Sequence, residues 1–107
     1  NIHGIIVADG FQERLHIPRI KAIREAVNIP LVLHGASGLP DEDFREAVKA
    51  GINLIHINTE IRVAWRKGIE EGLKANPDEV APYKILPHAK DAVKAVVLEK
   101  LKLFSEQ

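Results

Sequence analysis

Three histidines stand at or near the ends of apolar runs: His3 after Asn1-Ile2, His34 after Leu31-Val32-Leu33, and His56 within Leu54-Ile55-His56-Ile57-Asn58. Imidazole suits zinc, and side chains from separate strand ends converge on one ion when the fold brings those ends together. Ligands drawn from different strands have no fixed spacing. The competing reading is therefore a set of hydrogen-bonded histidines at the mouth of a barrel. The remaining two, His16 and His88, fall in or near expected loops and read as solvated.

Two loops beside these histidines have the composition of an anion site. Gly35-Ala36-Ser37-Gly38 sets two glycines around a small residue and a serine. Such a loop turns backbone N–H groups and one hydroxyl toward a phosphate, and the following helix N-terminus adds positive potential. A tight strand-to-helix turn asks for the same glycines. Asn58-Thr59-Glu60 lies where the next strand hands over to a helix. Thr59 reads there either as a second edge of the phosphate site or as a helix N-cap. Anion-compatible loops after successive strands reinforce each other, because barrels often hold phosphate between two such loops. Arg62 is an outside candidate, although with Arg66 and Lys67 it reads as a solvated helix face. Trp65, spaced with Ile61 and Ile69, reads as core.

The elements that must position these residues alternate. A first strand ends at Gly4, and Ala8-Asp9-Gly10 is a loop. A helix follows with Pro18 in its first turn and Ile17, Ile20, Ile23 and Val27 on one face; Asn28 and Pro30 stop it. Leu31-Val32-Leu33 is expected to be a strand buried on both faces. Pro40-Asp41-Glu42-Asp43 opens a helix with Phe44, Ala47 and Val48 inward and Gly51 at its end. The next strand is expected over Leu54–Asn58. A helix capped by Thr59 then turns Ile61, Ala64, Trp65, Ile69 and Leu73 inward. Pro82 and Pro87 punctuate a connector, and an amphipathic helix closes the chain from about Ala89 to Phe104. Strands and helices at this short period mean α/β architecture built of right-handed βαβ units. A (β/α) barrel and a doubly wound sheet both qualify. The lack of a Gly-x-Gly-x-x-Gly turn favours the barrel.

Composition removes other function classes. The chain has 107 residues, with 15 Lys+Arg against 15 Asp+Glu and a formal net charge of zero. That balance gives no bulk attraction to nucleic acid or to an acidic membrane. No run approaches the roughly 20 apolar residues of a membrane span, and the start has no signal-peptide layout. The chain contains no cysteine, which excludes disulfides, thiolate zinc sites and cysteine nucleophiles and points to the cytoplasm. A complete barrel takes about 250 residues. The expectation is thus that the chain is an incomplete barrel.

Leu31-Val32-Leu33-His34-Gly35-Ala36-Ser37-Gly38, followed by Pro40-Asp41, resembles the hallmark segment of class II, metal-dependent fructose/tagatose-bisphosphate aldolases. Ile2-His3-Gly4 resembles that family's preceding His-Gly strand end. His56-Ile57-Asn58-Thr59-Glu60 stands where the family has Asn-Val-(Asn/Ala)-Thr-(Asp/Glu). The resemblance covers essentially the whole chain and implies that residues 1–107 are the C-terminal segment of one TIM (β/α)8 barrel domain, about three βα units plus a closing helix, with the N-terminal part of the barrel outside this chain. It implies His3 and His34 as two of three zinc ligands. It further implies Gly4, Gly35, Ala36, Ser37, His56, Ile57, Asn58 and Thr59 as the substrate-binding set. The third histidine and the proton-transferring aspartate come from an earlier strand in the family, so no catalytic acid or base is assigned here, and the segment by itself is expected to be inactive. Zn2+ is the implied cofactor, with a monovalent cation at the phosphate. The implied partners are a phosphosugar and, in the intact enzyme, one or three further copies of itself. His56 replaces the family's asparagine, a change in size and from a carboxamide to an imidazole. Another phosphosugar barrel enzyme, an isomerase or epimerase, or a non-catalytic phosphate-binding half-barrel would reuse the same loops.

Overall fold

The computed structural model describes residues 14–105. The expected first strand and loop, with His3 and Gly4, lie outside the described residues. The elements in order are α1 (Ile17–Ala26), β1 (Leu31–Leu33), α2 (Asp41–Lys49), β2 (Ile52–Ile55), α3 (Thr59–Ala75) and α4 (Pro82–Ser105). They fall into two compact units. One holds the described residues up to Ile57 together with 103–105, and the other runs from Asn58 to Lys102.

In the first unit β1 and β2 pair in parallel, Leu31 opposite Ile52, Val32 opposite Leu54 and Leu33 opposite Ile55. Two parallel strands need a crossover, and α2 supplies it. Acids occupy its first turn, at Asp41, Glu42 and Asp43, and Lys49 its last, both as the helix dipole favours. Phe44 and Ala47 are buried on its inner side, as the sequence predicts. They pack with Leu33, with Ala36 and Leu39 from the loop after β1, and with Leu15 and Leu103. The Phe44 and Phe104 rings meet at 5.4 Å between centroids. Ahead of β1, α1 starts with His16 at its N-cap, where the ring Nδ1 accepts from the Arg19 N–H at 3.1 Å. Its Ile17 and Ile20 pack against the same core.

Two expectations are corrected in this unit. β2 occupies Ile52–Ile55, not Leu54–Asn58. Its partner β1 ends at Leu33, so the ladder closes with the His56 N–H donating to the Leu33 carbonyl at 3.0 Å. Nor is β1 covered on both faces. Leu33 is buried, while Val32 is 39% and Leu54 53% exposed on the opposite side. The helices of this unit fill one face of the sheet.

Asp43 ties the unit's start to α2. Its buried carboxylate accepts from the Leu15 N–H at 2.7 Å and from Arg14 Nε at 2.9 Å. Burial pushes the Asp43 carboxyl up, but the Arg14 guanidinium and the Leu15 N–H outweigh it and hold the group below the usual carboxylate range. The folded pKa is therefore below the unfolded value of about 3.9. The stabilisation is complete above that value and is lost as pH falls through the folded one. Asp43→Asn is expected to cost about 2 kcal/mol at neutral pH, the scale of a buried charge-assisted hydrogen bond. In urea unfolding the gap between variant and parent should close as the pH drops below about 4. A gap that stays constant down to acid pH would dismiss the carboxylate's charge as its cause.

In the second unit the packing of α3 departs from the expected apolar stripe. Trp65 is 50% and Leu73 47% exposed, while the buried positions are Ala64, Gly68 and Gly72. These follow each other at four-residue steps and form a row of small residues. The backbone of α4 lies directly on it. A Cβ at Gly68 would stand 2.5 Å from Ala89 Cα, and one at Gly72 2.7 Å from the Ile85 carbonyl oxygen. Such an approach leaves no room for Trp65 or Leu73 between the helices.

The connector is also shorter than expected, because α4 begins at Pro82 and carries Pro87 inside it. Pro82 fits a first helical turn, where its missing N–H has no partner to lose. Pro87 leaves the Tyr83 carbonyl without its i+4 donor, a defect the helix tolerates near its exposed start. Glu79 organises the connector by accepting from the Val80 and Ala81 N–H groups and pairing with Lys84 at 2.7 Å. His88 accordingly sits half-buried on a helix and not in a loop. Among the described residues no helix is long and apolar enough to cross a membrane.

Candidate functional site

His34 follows the last residue of β1, and His56 follows the last residue of β2. The strands are parallel, with a register irregularity between Leu31 and Val32, and Leu33 stands opposite Ile55, so both imidazoles leave the same end of the sheet. Side chains alternate along a strand, which puts His34 with Val32 and His56 with Leu54. Val32 and Leu54 define the exposed face opposite the helices. In a closed parallel barrel that face is the interior, and the carboxyl ends of its strands carry the chemistry. The two rings meet at 4.7 Å between centroids with their planes at 86°.

These two rings are the imidazoles that the described residues bring together at this sheet end. Among the described residues no three His, Cys, Asp or Glu side chains gather into a metal-holding group. Two exposed imidazoles at one sheet end nonetheless have the donor chemistry zinc prefers. His3, the other expected ligand, falls outside the described residues, as does Gly4.

The loop after His34 is a tight turn whose backbone demands its glycines. Gly35 has φ 64° and Gly38 φ 85°, conformations that side chains rarely adopt. The Leu39 N–H donates to the Ala36 carbonyl at 3.3 Å and closes the turn. The Ala36 side chain belongs to the core and Ser37 is buried. At Ala36 the backbone is what remains to meet a ligand. α2 contributes less to an anion than its position suggests, because three carboxylates already occupy its first turn.

His56 is exposed, whereas Ile57 packs against the first unit's core and keeps only its backbone for a ligand. Asn58 and Thr59 open the second unit. Thr59 is the first residue of α3 and not its cap; Asn58 takes the N-cap position, without a side-chain capping bond, and its carbonyl accepts from the Arg62 N–H at 3.1 Å. Thr59 is half-buried. Next to it, Glu60 forms an ion pair with Lys100 at 2.9 Å, both side chains mostly buried. Sequence reasoning did not single out Lys100. Its only signal is a lysine amid the apolar positions of α4, which ordinary helix faces also show.

Three comparisons place these features among known proteins. The family model described as fructose-bisphosphate aldolase class-II matches residues 1–107. A fructose-bisphosphate aldolase of Geobacillus stearothermophilus is 37% identical over 87% of this chain and 32% of its own length. A sulfofructosephosphate aldolase of Alkalicoccus urumqiensis is 36% identical over 98% of this chain and 36% of its own. The chain thus spans about a third of the length of these curated relatives. Among solved structures, the YdjI aldolase of Escherichia coli superposes with a TM-score of 0.69 at 39% identity, over 86% of this chain and 34% of that one. The α/β class and the partial barrel expected from the sequence agree with that likeness.

Proposed function

The chain belongs to the class II fructose-bisphosphate aldolase family, and from that premise we propose that it forms the C-terminal βα units of a barrel that cleaves and re-forms a ketose bisphosphate. The substrates of this reading are fructose 1,6- or tagatose 1,6-bisphosphate, and the products dihydroxyacetone phosphate and an aldehyde phosphate. The observation that carries it is the run from β1 into its loop. An exposed metal-type imidazole, His34, and a glycine-locked turn carrying Ser37 follow directly on one strand end.

In this reading His34, with His3, holds zinc. When bound, the metal supplies a Lewis acid for the substrate's ketone oxygen. The turn of Gly35, Ala36 and Ser37 offers backbone N–H groups and a hydroxyl to the dihydroxyacetone-phosphate end, fixed before the substrate arrives. Gly4 assists there. Asn58 and Thr59 take the phosphate role that the family pattern assigns them, with a monovalent cation beside the phosphate. His56 contacts a substrate oxygen or the metal side of the site. The proton-transferring aspartate belongs to an earlier strand of the barrel, and the intact enzyme works in the cytoplasm as a homodimer or homotetramer.

The test is an aldol-cleavage assay on the intact protein with and without a chelator. Activity should vanish on chelation and return with zinc. Phosphosugar turnover that survives chelation would favour an isomerase or epimerase instead. Ser37→Ala should raise KM for the bisphosphate roughly tenfold, the loss of one hydrogen bond to a charged group of about 1.5 kcal/mol. An unchanged KM would remove the Ser37 hydroxyl from the phosphate site.

A further inference from the structure

We propose that His56 is itself a metal ligand, gripping together with His34 the same divalent transition-metal ion at the end of β1 and β2. The proposal rests on the zinc reading of His34 and adds to it a residue that replaces an asparagine of the family pattern. Three observations carry it. The strands are parallel with Leu33 opposite Ile55, and the His56 N–H bonded to the Leu33 carbonyl fixes where the second imidazole emerges. The ring centroids lie 4.7 Å apart. Two imidazoles bound to one ion at about 2.0–2.1 Å hold their ring centres roughly 5 Å apart, a separation these two rings already have. Both side chains are exposed, on the face opposite the helices, and are free of the core that immobilises Ile57. A carboxamide at position 56 would be a weak ligand for such an ion. An imidazole is a strong one.

The experiment uses the intact protein, isotope-labelled at nitrogen, with Cd2+ as the probe. Scalar coupling between cadmium and an imidazole nitrogen requires a direct bond. Coupling at both His34 and His56 is the expected result. Coupling at His34 alone would overturn this inference and leave the zinc reading of His34 standing, whereas coupling at neither would overturn both. Coupling at His56 alone would overturn the shared grip. A second measurement is Co2+ affinity of His56→Phe, which keeps a ring against His34 but has no donor. It should fall at least tenfold, as should that of His56→Asn. An affinity for His56→Phe equal to the parent's would reduce the contact to ring packing and overturn the proposal.

Discussion

Replacing His34 with alanine should lower aldol cleavage by the intact enzyme on the order of a thousandfold and strip most of its bound metal. Catalytic zinc is held by a few protein ligands, so the loss of one removes a large part of the binding free energy. Polarisation of a carbonyl by the ion contributes several kcal/mol to transition-state stabilisation, and about 4 kcal/mol corresponds to that factor in rate. The side chain of His34 is exposed and stands outside the hydrophobic core, so the fold should survive the change. Elemental analysis gives the metal per chain, and steady-state kinetics gives the rate. Full metal content with an unimpaired rate would take His34 out of the metal site, and with it the main support for the aldolase mechanism. The Gly35–Gly38 turn would then stand as a phosphate loop serving some other chemistry.

Gly68→Leu should destabilise the second unit by about 3 kcal/mol or more, beyond the usual range of an overpacked site because the obstacle is backbone. The first added atom would stand 2.5 Å from Ala89 Cα and 2.7 Å from the His88 carbonyl oxygen. Neither belongs to a side chain that can rotate away, so α4 itself must shift. In an exposed helix the same replacement would be favourable, since glycine is about 1 kcal/mol worse than good helix formers. The sign of the effect thus reports the close approach of the helices. Lys67→Ala, one residue away on the exposed side, should change stability by less than about 0.5 kcal/mol. Chemical denaturation of the three proteins decides the matter. Equal midpoints for Gly68→Leu and the parent would mean that α3 and α4 do not pack through this glycine row.

Local chemistry was legible in the sequence wherever a few neighbouring residues determine the outcome. The apolar run Leu31–Leu33, the acids that open α2, and the inward Phe44 and Ala47 are such cases. So are the glycines of the Gly35–Gly38 turn, because a positive φ is a property of one residue and its backbone. Family membership was legible for the same reason, since the motifs that carry it are contiguous stretches.

What the tertiary structure alone decided depends on partners distant in the chain. β2 ends at Ile55 because β1 ends at Leu33, and no pattern within residues 52–58 contains that limit. α3 begins at Thr59, which is therefore a helical residue and not a cap. The pairing of β1 with β2 sets His56 beside His34, a contact that no local pattern contains. Hydrophobicity put Trp65 inside, yet the distance between two helices is set by the smallest residues that face each other, so Gly68 and Gly72 took the interface. Asp43 reads in the sequence as one more acid in a helix's first turn. Only the fold brings Arg14 and the Leu15 N–H to it and turns a surface-type residue into a buried tie. The sequence by itself thus determined the family, the order of the elements among the described residues and the residue types available at the ends of β1 and β2. Register and helix approach, which arise from contacts between distant segments, decided which of those groups stand together.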